Sequence, residues 1–600
     1  MKKILFVVGI VTCLLSCNQP SAGGAAGNAS FDSLLDTYYE TRLKLYPLEG
    51  TFVGDKRYND TLINDGSQNF VNSVTRLCND YLVKLSAFRD AKLSDEQKLS
   101  YDILSYQLTT MQQGFKLDIF YDLANFAHPL FTPFNQMVSL PLTIGQMASG
   151  TGLQPFKSVS DYDNWLKRIR GFRSWSDTAI SNMNKGIRSG IVLPKAVVLK
   201  MIPQMESMKV DSPQLSIFYG PITNMPAGFP EADKIRLTEE YKIAITDIVV
   251  PVYGRLAQYL QTTYLPAARS SSGMSALPGG AELYKFMVMQ NTTTSKTPEE
   301  IYQTGLSEVE RIKKKMDSIR VGVGFRGNMK AFFESMKTGK RFMPYKTTQE
   351  VLAAFDSIHK RMEPQLKKLF SHAPRTGFEI RQTEPFRAAS ASAEYNQGSA
   401  DGSRPGIFYI PILNAKEFNT TSGMESLFLH EAIPGHHYQI SLTQENNDLP
   451  KFRRYGIDNA YVEGWALYCE SLGKELGLYT DPYQVMGALG DEMHRAIRLV
   501  VDVAIHTKGM SREQAIRYMM GNEAISLQGA TAEIERYMSN PGQALGYKIG
   551  ALKIRELRTI AEKQLGSKFD VADFHHEILK DGSMPLAILE AKILKWIASK

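Results

Sequence analysis

The sequence predicts a mainly α-helical protein with one small β-sheet set just before a histidine-rich segment. Three observations carry that expectation. Apolar residues recur at intervals of three and four over residues 31–113, 160–184 and 231–265, which is the spacing of one helix face. Residues 422–597 are almost entirely helix-forming, with breaks mainly at 477–482, 540–542 and 582–585. Between residues 377 and 411 the pattern changes to short β-branched and aromatic runs, FEIRQT and PGIFYIPI among them, separated by turn residues. Such runs describe strands.

At the start, Lys2 and Lys3 precede a short apolar run that ends in Leu14-Leu15-Ser16-Cys17. A charged start, a short apolar core and a small residue before the processing point describe a secretory signal over residues 1–17. Its last four residues resemble the bacterial lipobox, whose cysteine, here Cys17, becomes the lipidated first residue; an ordinary signal with an incidental cysteine is the alternative. Residues 18–30 are small and polar, as a flexible tether is. No later stretch is apolar for long enough to cross a bilayer. Without the signal, Cys17, Cys78 and Cys469 remain. If Cys17 carries lipid, at most one disulfide is possible, so stability comes from burial.

Residues 31–376 form an expected N-terminal helical region, and residues 377–600 the sheet with a second helical region; one continuous domain over 31–600 is the alternative. Ser94, followed by Asp95, Glu96 and Gln97, marks one helix start. Residues 128–152, rich in proline, glycine and aromatics, predict an ordered irregular connection. Pro251 predicts a kink or a break. Residues 267–297 predict a loop, closed by a helix start at Thr297 with Pro298 in the first helical position and Glu299 and Glu300 behind it.

The composition is that of an ordinary globular protein, with 43% hydrophobic and 22% charged residues. Its net charge of +7 comes from 69 basic and 62 acidic residues without a long basic run. A solvated surface is expected, with no nucleic-acid partner.

Three of the ten histidines lie in His430-Glu431-Ala432-Ile433-Pro434-Gly435-His436-His437. That clustering points to a metal, and zinc suits a His2Glu donor set. The usual zinc helix places its histidines at i and i+4 with a glutamate base beside the first, but here i+4 is Pro434. On a straight helix, the seven positions from His430 to His437 return to one face but climb about 10.5 Å, too far to share an ion. Pro434 removes the bond to the His430 carbonyl and with Gly435 predicts a bulge that brings a later histidine into place. His436 needs the smaller bulge and is the expected ligand beside His430, leaving His437 for a supporting or substrate contact. Glu431 is the expected general base.

The third ligand is expected from NAYVEGWALYCE. Glu463 sits there among Val462, Trp465, Ala466 and Leu467, and a carboxylate in an apolar setting needs a partner. Gly464 beside it permits close approach of another backbone. Glu470, two turns on, is the alternative ligand or a salt-bridge partner.

HEAIPGHH, followed by YVEGWALY and by RYMSNPGQALGYKIG, resembles the bacterial family catalogued as domain of unknown function 885, which by resemblance stands among gluzincin-type zinc metallopeptidases. The resemblance extends over most of the mature chain. It implies a large, mostly helical, zincin-like body with a deep cleft, similar to zinc carboxypeptidases and oligopeptidases, and His, His and Glu as ligands. Pro434-Gly435 is a departure from the zinc helix of those enzymes. By the same resemblance Tyr547 is the expected oxyanion donor, with Arg536 and Tyr537 as reserves.

His494, Arg498, Asp502 and His506 share one helix face. Either they orient ligands, with Arg498 binding a substrate carboxylate, or they form a buried polar network between helices. Tyr409, in PGIFYIP, lies on a strand that either offers an edge to an extended peptide or is purely structural. The expected function is zinc-dependent hydrolysis of peptides by a lipid-anchored protein of the bacterial envelope, facing the periplasm and touching the membrane through its anchor alone. A non-catalytic binding lipoprotein and a metal amidase acting on a non-peptide are the alternatives.

Overall fold

The helix starts follow capping chemistry. Ser94 closes a capping box with Gln97 at the head of the helix Asp95–Phe115, and Thr297 closes one with Glu300 at the head of Pro298–Gly322. The computed structural model describes residues 23–121, 127–150, 152–383, 392–399, 405–421 and 423–600. Cys17 and the expected signal segment lie outside them. The architecture is mainly helical, at 69% helix.

The first helices are α1 (Gly23–Leu45), α2 (Gln68–Ser86) and α3 (Asp95–Phe115). Residues 23–30, expected as tether, are helical. Phe31, Leu35 and Tyr38 are buried and nucleate α1, and extension upstream through Ala25 and Ala26 costs little once a helix exists. Strands β1 (Ile119–Tyr121) and β2 (Ala127–Pro129) pair antiparallel. The segment read as an irregular connection also holds a helix, Leu140–Ala148.

Pro251 does not break its helix. Helix α4 (Glu231–Ala244) passes through a π-turn, Ile245–Val249, into α5 (Val250–Tyr259). The Asp247 carbonyl, which proline cannot bond, accepts instead from Arg173 at 2.8 Å. The expected loop at 267–297 contains helix α6 (Gly280–Thr292). Its Tyr284, Met287 and Val288 are buried, so tertiary packing outweighs the polar start of that segment.

The site is framed by α7 (Pro298–Gly322), β3 (Phe378–Gln382), β4 (Glu394–Asn396), β5 (Gly406–Ile410), α8 (Met424–Glu431), α9 (His436–Glu445), α10 (Asn459–Glu470), α11 (Pro482–Thr507), α12 (Leu527–Ser539) and α13 (Leu545–Leu565). The small sheet has the order β3-β5-β4, with β5 parallel to β3 and antiparallel to β4.

Two apolar cores, one reaching from Phe31 to Ile597 and the other from Leu48 to Ala544, draw on residues before and after position 376. Helix α11 runs between them, giving Leu499 and Val503 to one and Ile497, Val501 and Ile505 to the other. Helices α10 and α13 cross at glycines: a Cβ on Gly464 would stand 2.5 Å from the Gly550 Cα, and one on Gly550 1.9 Å from the Ala460 carbonyl oxygen. The expectation that Gly464 admits another backbone is met by α13. Among the described residues no helix is long and apolar enough to cross a membrane.

Candidate metal centre

The histidine motif forms a helix end, a turn and a helix start, in place of the expected bulge. Glu431 is the last residue of α8, and His436 the first of α9. The Ile433–Pro434 peptide is cis. Proline denies the helix its next bond, and ψ angles of −101° at Ala432 and −130° at Gly435, outside the helical range, redirect the chain, so the helix restarts where a bulge would have continued it. Gly435 is required here. A Cβ would stand 1.9 Å from the His430 carbonyl oxygen and 2.4 Å from that of Leu429. The turn is tied to α10, since the Trp465 indole N–H donates to the Pro434 carbonyl at 2.8 Å and the Cys469 thiol reaches it at 3.5 Å.

This turn brings His430 and His436 to one carboxylate. Glu463 Oε2 lies 3.7 Å from His430 Nε2 and 3.6 Å from His436 Nε2, and the three donor atoms fall within 4.8 Å of one another. Those distances exceed a hydrogen bond. The two His–Glu distances are close to the roughly 3.3–3.6 Å that donors about 2.0–2.2 Å from a tetrahedral ion keep among themselves. Among the described residues, Glu463 Oε2 and His436 Nδ1 are buried without a hydrogen-bond partner. His430 Nδ1 is engaged by Glu470 Oε1 at 2.8 Å, which leaves its Nε2 for another partner. The donor set therefore fits a divalent cation of the zinc type, and Glu470 stands behind His430, outside the converging trio.

Burial alone would lower the basicity of His430, but Glu463 and Glu470 outweigh it and push the imidazole up to about 10. Burial would raise Glu463, yet the two histidines hold its carboxyl well below the usual range. Glu431, the residue next to His430, is buried, and burial raises its carboxyl despite His430 and His436. A carboxylate raised in this way is a better proton acceptor than one in water.

Tyr547, on α13, is half-buried, and burial together with the nearby Glu463 charge raises its hydroxyl. The Arg498 guanidinium stacks over its ring at 4.6 Å. Arg498 is otherwise engaged, donating to the Tyr537 hydroxyl at 3.1 Å and to Glu533 at 3.3 Å. Glu533 also accepts from Arg536 at 3.0 Å and from Tyr537 at 2.5 Å, and it pairs with His494 at 3.1 Å. Arg498 Nε and Nη2 are thus taken up by the internal network that is the second reading of this stripe, while its buried Nη1 has no hydrogen-bond partner among the described residues. Arg536 and Tyr537, the reserve candidates, belong to the same network.

His437 is absent from the trio. It is buried against the sheet, its Nδ1 bonded to the Tyr395 hydroxyl at 3.0 Å, and burial lowers its pKa to about 4. Asp502 and His506 are structural. Asp502 accepts from the Tyr284 hydroxyl at 2.6 Å and the Gly542 N–H at 3.1 Å; His506 accepts from the Met274 N–H at 3.1 Å and donates to the Tyr537 carbonyl at 3.0 Å. Tyr409 lies on the central strand β5, paired on both sides, so this strand has no free edge. Tyr395 is directly opposite Phe408, and side chains alternate along a strand, so Tyr409 faces away from His437. Sequence reasoning missed Arg495, whose guanidinium lies 3.9 Å from Glu470 and whose charge lowers Glu431. Asp491, one turn before it, was the available signal. Tyr395 and Trp465 were also missed.

The family model described as bacterial protein of unknown function (DUF885) matches residues 47–593. The crystal structure of a candidate lipoprotein from Colwellia psychrerythraea is similar at a TM-score of 0.87 and 27% identity, over 95% of this chain and 99% of that one. A candidate lipoprotein of unknown function from Shewanella oneidensis shares the fold at a TM-score of 0.70 and 18% identity, over 94% and 99%. Comparison with curated proteins gives no match.

Proposed function

Because the chain belongs to the DUF885 family, whose description assigns no activity, we propose a function from the site itself: zinc-dependent hydrolysis of peptide bonds on a zincin-like helical body. The observation that carries this reading is the convergence of His430 Nε2, His436 Nε2 and an otherwise unpartnered Glu463 Oε2, with buried Glu431 one residue from the first ligand. His430, His436 and Glu463 hold the ion. When bound, zinc polarises a carbonyl and acidifies water at neutral pH.

The remaining steps belong to the chain's own residues. Glu431, pushed up by burial, accepts the proton of the attacking water and returns it to the departing amine nitrogen. Tyr547, beside Glu463, donates its hydroxyl to the carbonyl oxygen as negative charge develops there. Glu470 holds the His430 ring with Nε2 presented. The lipobox-like Leu14-Leu15-Ser16-Cys17, and the description of both structural relatives as candidate lipoproteins, support an anchored envelope protein that meets oligopeptides on the periplasmic side.

Metal analysis of the purified protein, followed by a peptide-library digest read by mass spectrometry, tests the reading. The expected result is about one zinc per chain with defined cleavage sites, and a Glu431→Gln variant that keeps zinc while turnover falls about 10²–10⁴-fold. Neither zinc nor cleavage would return the chain to a binding lipoprotein, and full activity in E431Q would remove the proposed base.

A further inference from the structure

The two histidines of the trio are held in different ways. His430 has a carboxylate, Glu470, on Nδ1 at 2.8 Å. His436 has no such support, because its Nδ1 is buried without a hydrogen-bond partner. It is also the first residue of α9, where backbone N–H groups lack partners within the helix. Something else must set the direction of its ring.

The neighbouring residue supplies the anchor. His437 is 1% exposed. The Tyr395 hydroxyl on the edge strand β4 reaches its Nδ1 at 3.0 Å, Ser441 on the next turn lies 3.4 Å away, and the backbone of Thr376, just before β3, bonds the same ring. The Phe378 ring packs against it at 5.0 Å between centroids. Gly406 on β5 makes the room: a Cβ there would stand 2.4 Å from the Tyr395 hydroxyl oxygen and 2.8 Å from His437 Nδ1. The Trp465 tie to the Pro434 carbonyl sets the height of the turn. Rotation of the first turn of α9 about its axis is set at His437.

We propose that the Tyr395–His437 hydrogen bond is a positioning strut, which pins the first turn of α9 to the small sheet and so fixes where His436 presents Nε2 to a divalent cation. The inference rests on the trio being a metal site. It makes His437 and Tyr395 positioning residues that act through His436, and it gives the sheet a structural part in metal affinity.

The experiment is a zinc titration of the full chain against a chromophoric chelator, with the melting temperature of the metal-free protein measured beside it. Tyr395→Phe removes one hydroxyl, His437→Phe keeps a ring but loses its bonds, and His437→Asn restores an acceptor near the Nδ1 position. Both Y395F and H437F are expected to weaken zinc binding by about 10- to 100-fold, the cost of losing support behind a ligand. H437N recovers part of the loss, and the metal-free melting temperature of Y395F falls by about 2 °C at most, the worth of one lost hydrogen bond in a chain of this length. The visible spectrum of the cobalt-loaded Y395F protein shifts from the wild-type spectrum, a change in ligand geometry that a loss of folding stability would not produce. Should H437F fail to fold, Y395F decides alone. Wild-type zinc affinity in Y395F would overturn the strut while leaving the metal site standing. Absence of zinc binding by the wild-type protein would overturn both.

Discussion

The two halves of the stripe His494, Arg498, Asp502 and His506 on helix α11 carry the same kind of side chain at the same helical spacing and do different work. His494 and Arg498, at the middle of the helix, face Glu533, Tyr537 and Tyr547 in a network that solvent reaches, Glu533 being 25% exposed. Asp502 and His506, two turns on, are 0% exposed and bond only within the packing, to Tyr284, Gly542, Met274 and the Tyr537 backbone. One stripe thus begins beside the candidate centre and ends as a core fastening. A run of polar residues on a buried helix shows that partners exist, and only the partners show what the run is for.

That contrast has consequences that can be measured. The largest is at the closed end. Asp502→Ala leaves the Tyr284 hydroxyl and the Gly542 N–H without an acceptor, and thermal or urea unfolding should report a loss of about 4 kcal/mol. Zinc affinity should stay within about twofold of wild type, and a large loss of zinc would erase the distinction between the halves.

The next is a pH effect. Burial raises the Asp502 carboxyl to about 7, whereas the unfolded chain releases that proton near about 4. Below the unfolded value both states are protonated; as pH rises toward the folded value only the unfolded state has lost its proton, so the folded state is progressively disfavoured. The stability of Asp502→Asn relative to wild type should therefore rise by about 3 kcal/mol between roughly pH 4.5 and 7.5, and a constant difference would mean that Asp502 does not titrate in this window.

The smallest effect is at the open end. Arg498→Ala removes the guanidinium over Tyr547 but leaves Glu533 with Arg536, His494 and Tyr537. Turnover of a cleaved peptide should fall about tenfold, the worth of a partly desolvated cation–π contact, with much less loss of stability than in D502A. Equal stability losses in the two variants would dissolve the comparison.

Much of the fold and of the centre was legible because local rules and global packing agree there. The capping residues Ser94 and Thr297 start helices where expected, and the sheet precedes the histidines. The choice of His436 over His437 and of Glu463 over Glu470 matches the trio that converges. What stayed hidden depends on contacts distant in sequence. Pro434 announces a lost bond, but whether the chain bulges or restarts depends on Trp465, 31 positions away, holding its carbonyl. Tyr409 looked available because a strand's sequence does not state its place in the sheet, and β5 is central. The stripe holding Arg498 read equally as a substrate contact or a buried network because Glu533, its partner, is 35 positions on.

The glycine crossing of α10 and α13 bears on how this centre tolerates variation. Gly464 follows Glu463 directly, and Gly546 and Gly550 flank Tyr547 on the facing helix. A methyl group at Gly464 or Gly550 would meet backbone atoms of the facing helix 2.5 and 1.9 Å away, forcing apart the helices that carry Glu463 and Tyr547, and one at Gly546 would meet the Asn459 side chain at 2.4 Å and the Asn291 carbonyl oxygen at 2.9 Å. A comprehensive substitution library should show these three positions, which have no functional group at all, to be as intolerant of change as the histidines.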